Sequence, residues 1–235
     1  MKIRNIVLWG FVAIISLGCG GPSSIMIKPD ATKNIRSIAI LEIKQPFYQM
    51  MDLSSATPWG AISEQNRAKE IKPKFVGILK KEKFSFNKYL TNELHKSLRK
   101  AGYKTYAIKV KRDEKEIFLK SYAKYKSAKV DALLDLTPVS AGYVVQQPMI
   151  SSFWRPETKA FVRLVNARDG AILYQDTLMY GYHNTFMSAV DLDAPKKFHF
   201  EEREDIFKAG NKVIVNGLKD AATQVAAYIG KQLEK

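Results

Sequence analysis

Few side chains in this 235-residue chain are equipped for chemistry. There is one cysteine, Cys19, and there are three histidines, His95, His183 and His199. A lone cysteine excludes an intrachain disulfide framework and a cysteine-based zinc finger. His183, Asp191, Asp193 and His199 share one irregular stretch and are residue types that ligate metals. Polar loops produce such spacing by chance, so no metal and no other cofactor is expected there. Glu201-Glu202 and Glu204-Asp205 are paired carboxylates, but they enter a helical pattern, where acids complement the positive end of the helix dipole. His95 flanks a leucine stripe in a Lys-rich helical segment, where a packing or solvated role is expected. No Gly-x-Ser-x-Gly elbow, Gly-x-x-x-x-Gly-Lys-Ser/Thr loop or Gly-x-Gly-x-x-Gly turn occurs. No catalytic residue is assigned, and the expectation is a protein that is not an enzyme.

Charge is the next source of function. Lys and Arg number 38 against 23 Asp and Glu, a formal net charge of +15. Such an excess favours polyanions: nucleic acid, anionic lipid, or acidic cell-wall and lipopolysaccharide groups. The cations are dispersed over Lys80-Lys81, Lys96, Arg99-Lys100, Lys109 to Arg112 and Lys120 to Lys129, as on a solvated surface. No nucleic-acid-binding signature accompanies them. Trp59, in a long loop, and Phe153, Trp154 and Arg155, between strands, are the candidate partner surface, because Trp and Arg are enriched at interaction hot spots. A loop tryptophan tucked onto its own core is the competing expectation.

The amino terminus supplies the location. Lys2 and Arg4 precede the apolar run Ile6 to Ile15, and no acid appears before Asp30. That run is about half the roughly 20 residues a membrane-spanning helix needs, so it reads as the hydrophobic part of a signal peptide over 1–18. Ile15-Ser16-Leu17-Gly18-Cys19 resembles the lipobox of bacterial lipoproteins. The resemblance implies a diacylglyceryl group on the Cys19 thiol, cleavage before Cys19, and acylation of the new amine. More than one chain makes such an anchor stable, since a single acyl chain binds only marginally. Gly20, rather than Asp, resembles cargo forwarded to the outer membrane of a Gram-negative cell. The implied location is therefore the cell envelope, facing the periplasm, with membrane as a partner and nucleic acid excluded.

These residues must be carried by a fold. Residues 19–33, with Gly, Pro and Ser, read as a tether, and 34–235 as one domain. Ile35 to Ile43 predicts a strand covered on both faces, since Ile38-Ala39-Ile40-Leu41 is continuously apolar. Stretches 45–83 and 183–203 show no clean period and are expected to be long loops, the first with the alternative of short elements inside it. Phe86, Leu90, Leu94, Leu98 and Ala101 predict a helix over 84–101 closed by Gly102. A strand over 103–110 follows, then a second helix from Asp113 to about 128 with Glu116 as the reciprocal acid. Strands are expected at 130–145, 159–166 and 171–182, the last two joined by a turn at Asn166-Ala167-Arg168-Asp169-Gly170. A long final helix over 205–233 bears the stripe Ile214, Leu218, Ala221, Val225 and Ile229. The order argues an α/β or α+β sandwich: a mixed sheet of about five strands packed by two to three helices.

The strand Ile38-Ala39-Ile40-Leu41, the helix ending Ala101-Gly102-Tyr103, the strand Asp131-Ala132-Leu133-Leu134 and the hairpin from Val162 to Tyr174 resemble a domain of several envelope lipoproteins. That group includes the curli secretion lipoprotein and penicillin-binding-protein activators, and is similar to the TolB N-terminal domain. The resemblance implies binding to other proteins, as an oligomer subunit or an accessory to an enzyme. A non-catalytic, lipid-anchored accessory subunit is the expectation; a binder of anionic envelope material and a hydrolase are the alternatives.

Overall fold

The computed structural model describes residues 22–28, 30–52, 58–113, 116–126, 129–145, 153–181 and 189–234, and the side chains of 58–61 are outside this set. Cys19, the signal segment, His183 and the Trp59 side chain therefore lie outside the described residues.

The apolar run near residue 38 forms β1 (Ser37–Leu41), buried on both faces as its composition predicts. Ile38 and Ile40 enter the main core, while Ala39 and Leu41 enter a second cluster on the other side. The sheet has seven strands, two more than expected, with β2 (Phe47–Asp52), β3 (Lys104–Ile108), β4 (Ala132–Val145), β5 (Trp154–Asn166), β6 (Ile172–Tyr180) and β7 (Val190–Leu192). The order is β3-β1-β4-β5-β6-β7, and β2 also pairs with β4, beyond β1. β1 is parallel to β3 and β4, β2 to β4, and β6 to β7, whereas β4-β5 and β5-β6 are antiparallel. β4 keeps within its predicted limits, β5 begins five residues earlier than expected, and Pro138 coincides with a register shift in β4.

One face is covered by helices. α2 (Phe86–Lys100) buries Phe86, Leu90, Leu94 and Leu98 at the predicted spacing. Its end closes as a Schellman motif, with Tyr103 N–H on Leu98 O and Gly102 N–H on Arg99 O, both 3.0 Å. α4 (Asn211–Gln232) lays Ile214, Leu218, Ala221, Val225 and Ile229 on the core. A Cβ at Gly217 would stand 2.3 Å from Tyr143 Oη, so only glycine permits this approach to the sheet.

Four expectations are corrected. Stretch 45–83 is not a loop: it holds β2 and α1 (Pro58–Lys81), the latter buried through Phe75 and Leu79. Pro73 sits on its exposed side, where the missing N–H disturbs the helix without opening the core. The helix expected from Asp113 to 128 is absent among the described residues. Asp113 and Glu116 close only one turn (Glu116 N–H to Asp113 O, 3.2 Å), and one 3-10 turn follows at Ala123–Tyr125. The final helix is broken into α3 (Arg203–Lys208) and α4 at Gly210, whose φ of 93° is incompatible with a continuous helix. Stretch 183–203, read as a loop, contributes β7 and a 3-10 turn at Lys196–Phe198.

The amino-terminal tether is also partly built in. Ile25 N–H donates to Gln175 O at 2.7 Å and Gln175 N–H returns to Ile25 O at 3.0 Å. Gln175 Nε2 donates to Ser23 O at 2.6 Å, and Ser24 Oγ to Asp176 Oδ1 at 2.9 Å. Among the described residues no helix is long and apolar enough to cross a membrane.

Candidate functional site

The parallel pair β1 and β3 brings two carboxyl ends together beside the amino end of α2. Ligands of open α/β sheets bind in crevices at such ends. A cleft of about 510 Å³ lies there, lined by Ile40, Ile43, Asn87, Thr91, Ala107 and Ile108 among others. The first amides of α2 are already engaged by neutral partners. Phe86 N–H donates to Tyr48 Oη (3.2 Å), Asn87 N–H to Gln45 Oε1 (3.3 Å), and Lys88 N–H to Asn87 Oδ1 (2.9 Å). Burial pushes the Tyr48 phenol above its ordinary pKa, which keeps this cap neutral. The cleft is lined by Ile40, Leu41, Ile43 and Ile108 together with Glu42, Lys88 and Lys109, so it can take apolar side chains and charged groups beside them.

β3 forms one edge of the sheet, and its backbone alternates in a way that decides what it presents. Lys104 N–H donates to Arg36 O (2.9 Å), and Ile108 O accepts from Glu42 N–H (2.8 Å). By the two-residue period, Tyr106 also faces β1, while Thr105 and Ala107 direct their N–H and C=O groups outward. Among the described residues no strand pairs with that side. Tyr106 is 48% exposed on the face away from the helices, and Ala107 borders the cleft. An exposed edge of this kind is a template for another strand.

The opposite face of the sheet carries two buried acids that sequence reasoning missed. Asp135 accepts from Arg112 Nη2 (2.6 Å), Leu119 N–H (2.9 Å) and Tyr122 Oη (2.8 Å). Arg112 Nη1 also reaches Ile117 O and Thr137 Oγ1, both at 3.0 Å. The Arg163 guanidinium stacks 4.0 Å over Phe118. These contacts pin Arg112 and residues 116–126 across the sheet as a strap. Burial, with the Asp135 carboxylate beside it, drives the Tyr122 phenol far above its usual pKa. Glu157 is held by Ser140 Oγ (2.8 Å) and Gln49 Nε2 (3.3 Å), which ties β5 to β4 and β2. Burial raises its pKa, outweighing its two hydrogen bonds and the charge of Lys159. The visible signal was a charged residue breaking an apolar strand, as in Leu133-Leu134-Asp135-Leu136.

The residues singled out from sequence are distributed differently. Trp154 is a correction: it begins β5, is only 5% exposed, and packs in the core. Its backbone pairs with Phe200, and the Arg203 guanidinium lies 4.5 Å over its ring. Arg203 in turn pairs with buried Glu64. Its ring surface is thus spent inside the domain. Phe153 is half-buried and stacks on His199 at 5.8 Å, and His199 Nε2 lies 3.0 Å from Ala194 O. Arg155 is half-buried; desolvation lowers its pKa and the Asp193 charge opposes that shift. Among the described residues no group of three His, Cys, Asp or Glu side chains could hold a metal. His95 Nδ1 lies 2.8 Å from Thr105 Oγ1, and burial together with Arg99 lowers its pKa, which fits a packing role. Asp205 accepts the Glu202 N–H at 3.3 Å, so these acids cap α3 as expected. Of the basic run, Arg112 is withdrawn from the surface into its pair with Asp135.

No protein-family model matches the chain, and no curated protein matches it in sequence. Solved structures give distant likenesses. The PelC dodecamer from Paraburkholderia phytofirmans aligns at TM-score 0.36 and 10% identity, over 90% of this chain and 95% of that one. Protein XCC0632 from Xanthomonas campestris aligns at TM-score 0.36 and 9% identity, over 90% and 92%. Lipoprotein GNA1162 from Neisseria meningitidis aligns at TM-score 0.28 and 14% identity, over 64% and 88%. At these scores and identities the likeness fixes neither family nor activity.

Proposed function

We propose that this protein is a non-catalytic accessory subunit of the bacterial envelope, held to the membrane by acyl chains on Cys19, which docks a protein strand on β3. The observation that carries the docking role is the β3 edge. Two outward-facing peptide units at Thr105 and Ala107 lie beside a cleft of about 510 Å³ at the carboxyl ends of β1 and β3. A strand added there makes main-chain hydrogen bonds for affinity, and the cleft accepts alternate side chains for selectivity. The added strand comes from a second copy or from a different envelope protein. Asp135 is fully engaged as a structural tie and Glu157 is held between strands, which supports a role without catalysis.

Ala107→Pro is the test. Its N–H points outward, so proline removes a docking donor and leaves the bonds to β1 intact, as edge prolines do. Detergent-extracted wild type is expected to self-associate in sedimentation or to retain one specific partner in a pull-down, and Ala107→Pro to lose that property with its circular dichroism unchanged. A monomeric wild type without a specific partner, or a variant that binds as before, overturns the reading.

A further inference from the structure

The described chain shows where the amino terminus leaves the domain, and that decides which side meets the bilayer. Ser23 to Ile25 are hydrogen-bonded along the outer edge of β6, through both main-chain bonds between Ile25 and Gln175 and the side-chain bonds of Ser24 and Gln175. Only Gly20, Gly21 and Pro22 lie between this docked segment and Cys19. Four residue steps span at most about 14 Å fully extended. A free tether over 19–33 would instead reach roughly 50 Å and let the domain turn at will.

We infer that the outer side of β6, covered by the docked amino-terminal segment at Gln175 and by β7 at Leu178 to Tyr180, is the side that lies against the lipid surface. This rests on Cys19 carrying the anchor. The chemistry of that side suits lipid head groups. Met26 is 72% exposed and Ile172 is 38% exposed, two apolar side chains that the domain itself leaves uncovered. Lys28, two residues from Met26, is exposed and meets anionic head groups favourably, with the exposed Asp30 as the opposing charge. Going outward from β6 the strands are β5, β4, β1 and β3. Four spacings put the β3 edge about 19 Å away on the opposite side. The short link therefore turns the bare β3 edge and its cleft away from the membrane, toward soluble or membrane-borne partners.

The test uses the acylated full chain in vesicles of phosphatidylethanolamine and phosphatidylglycerol with a nitroxide head-group quencher. Acylation consumes the Cys19 thiol, so Met26→Cys and Tyr106→Cys each place a single fluorophore. Quenching is expected to be several-fold stronger at position 26 than at 106. Inserting eight Gly and Ser residues between Gly21 and Pro22 is expected to bring the two to the same level. Equal quenching without the insertion, in protein whose mass shows the acyl chains, overturns the orientation and leaves the anchor standing. Protein with an unmodified Cys19 that washes off the vesicles removes the anchor and the orientation with it.

Discussion

The two faces of the sheet are covered by opposite means. On one, α2 and α4 bring leucine, isoleucine and valine stripes onto Ile38, Ile40, Leu134 and Leu164, and cohesion is spread over many apolar contacts. On the other, a strap without regular helix is held by a small apolar cluster and by polar ties converging on Asp135. The difference teaches how each face fails. Apolar packing loses stability in proportion to the volume removed. A buried ion pair fails all at once when one partner goes, because the other remains charged without compensation.

The sharpest break is Asp135→Ala, which leaves Arg112 buried and unpaired. It is expected to cost about 3–5 kcal/mol in urea unfolding. The double variant Asp135→Leu with Arg112→Met is expected to recover most of that loss; failure to recover would mean that the strap depends on more than this pair. On the helix face, Leu94→Ala is expected to cost about 2–5 kcal/mol through a cavity, without selective release of the strap. Hydrogen exchange distinguishes the two: Asp135→Ala exposes the Leu119 amide well before the amides of α2, and Leu94→Ala does not.

A smaller effect belongs to Glu157 and depends on pH. Its folded-state pKa is raised by burial above the ordinary 4.5. The folded protein therefore holds the proton more tightly than the unfolded chain, and the stabilisation is fully present below about 4.5. It is lost as pH rises through the folded value. Thermal midpoints are expected to fall over that window in the wild type and to stay flatter in Glu157→Gln. A variant with the same slope as the wild type would assign the pH dependence elsewhere. The smallest effect on stability is expected from Ala107→Pro, within about 0.5 kcal/mol of the wild type, since its N–H serves no bond within the described sheet. A large loss in this variant would show that the β3 edge is covered.

Legibility followed locality. The α2 stripe from Phe86 to Leu98, the closing Gly102, the hairpin at 166–170 and the two-faced burial of β1 could all be read, because each depends on neighbours within a few residues. α1 was read as loop because its buried contacts, Phe75 and Leu79, come late in a polar helix interrupted by Pro73. The segment after Asp113 showed helical spacing of aromatic residues, but tertiary ties from Leu119 and Tyr122 to Asp135 won over local propensity. Trp154 was a candidate partner residue by its type beside Arg155, with a place on the domain's own core as the other reading, and its neighbours in space, Phe200 and Arg203, put it in the core.

By itself, the sequence determined the α/β class, the main helix and hairpin, the expectation of an anchor at Cys19, and the lack of any recognised catalytic motif. These are properties of composition and short-range spacing. Only the tertiary structure decided that Asp135 and Glu157 are buried ties, that β3 has no partner on its outer side among the described residues, and that Ser23 to Ile25 join β7 along β6 on the other. Those outcomes depend on pairings across 13 to 152 residues, as between Tyr122 and Asp135 or Ser24 and Asp176. Hydrogen bonds of that span are set by which strands become neighbours, and no local pattern carries that information.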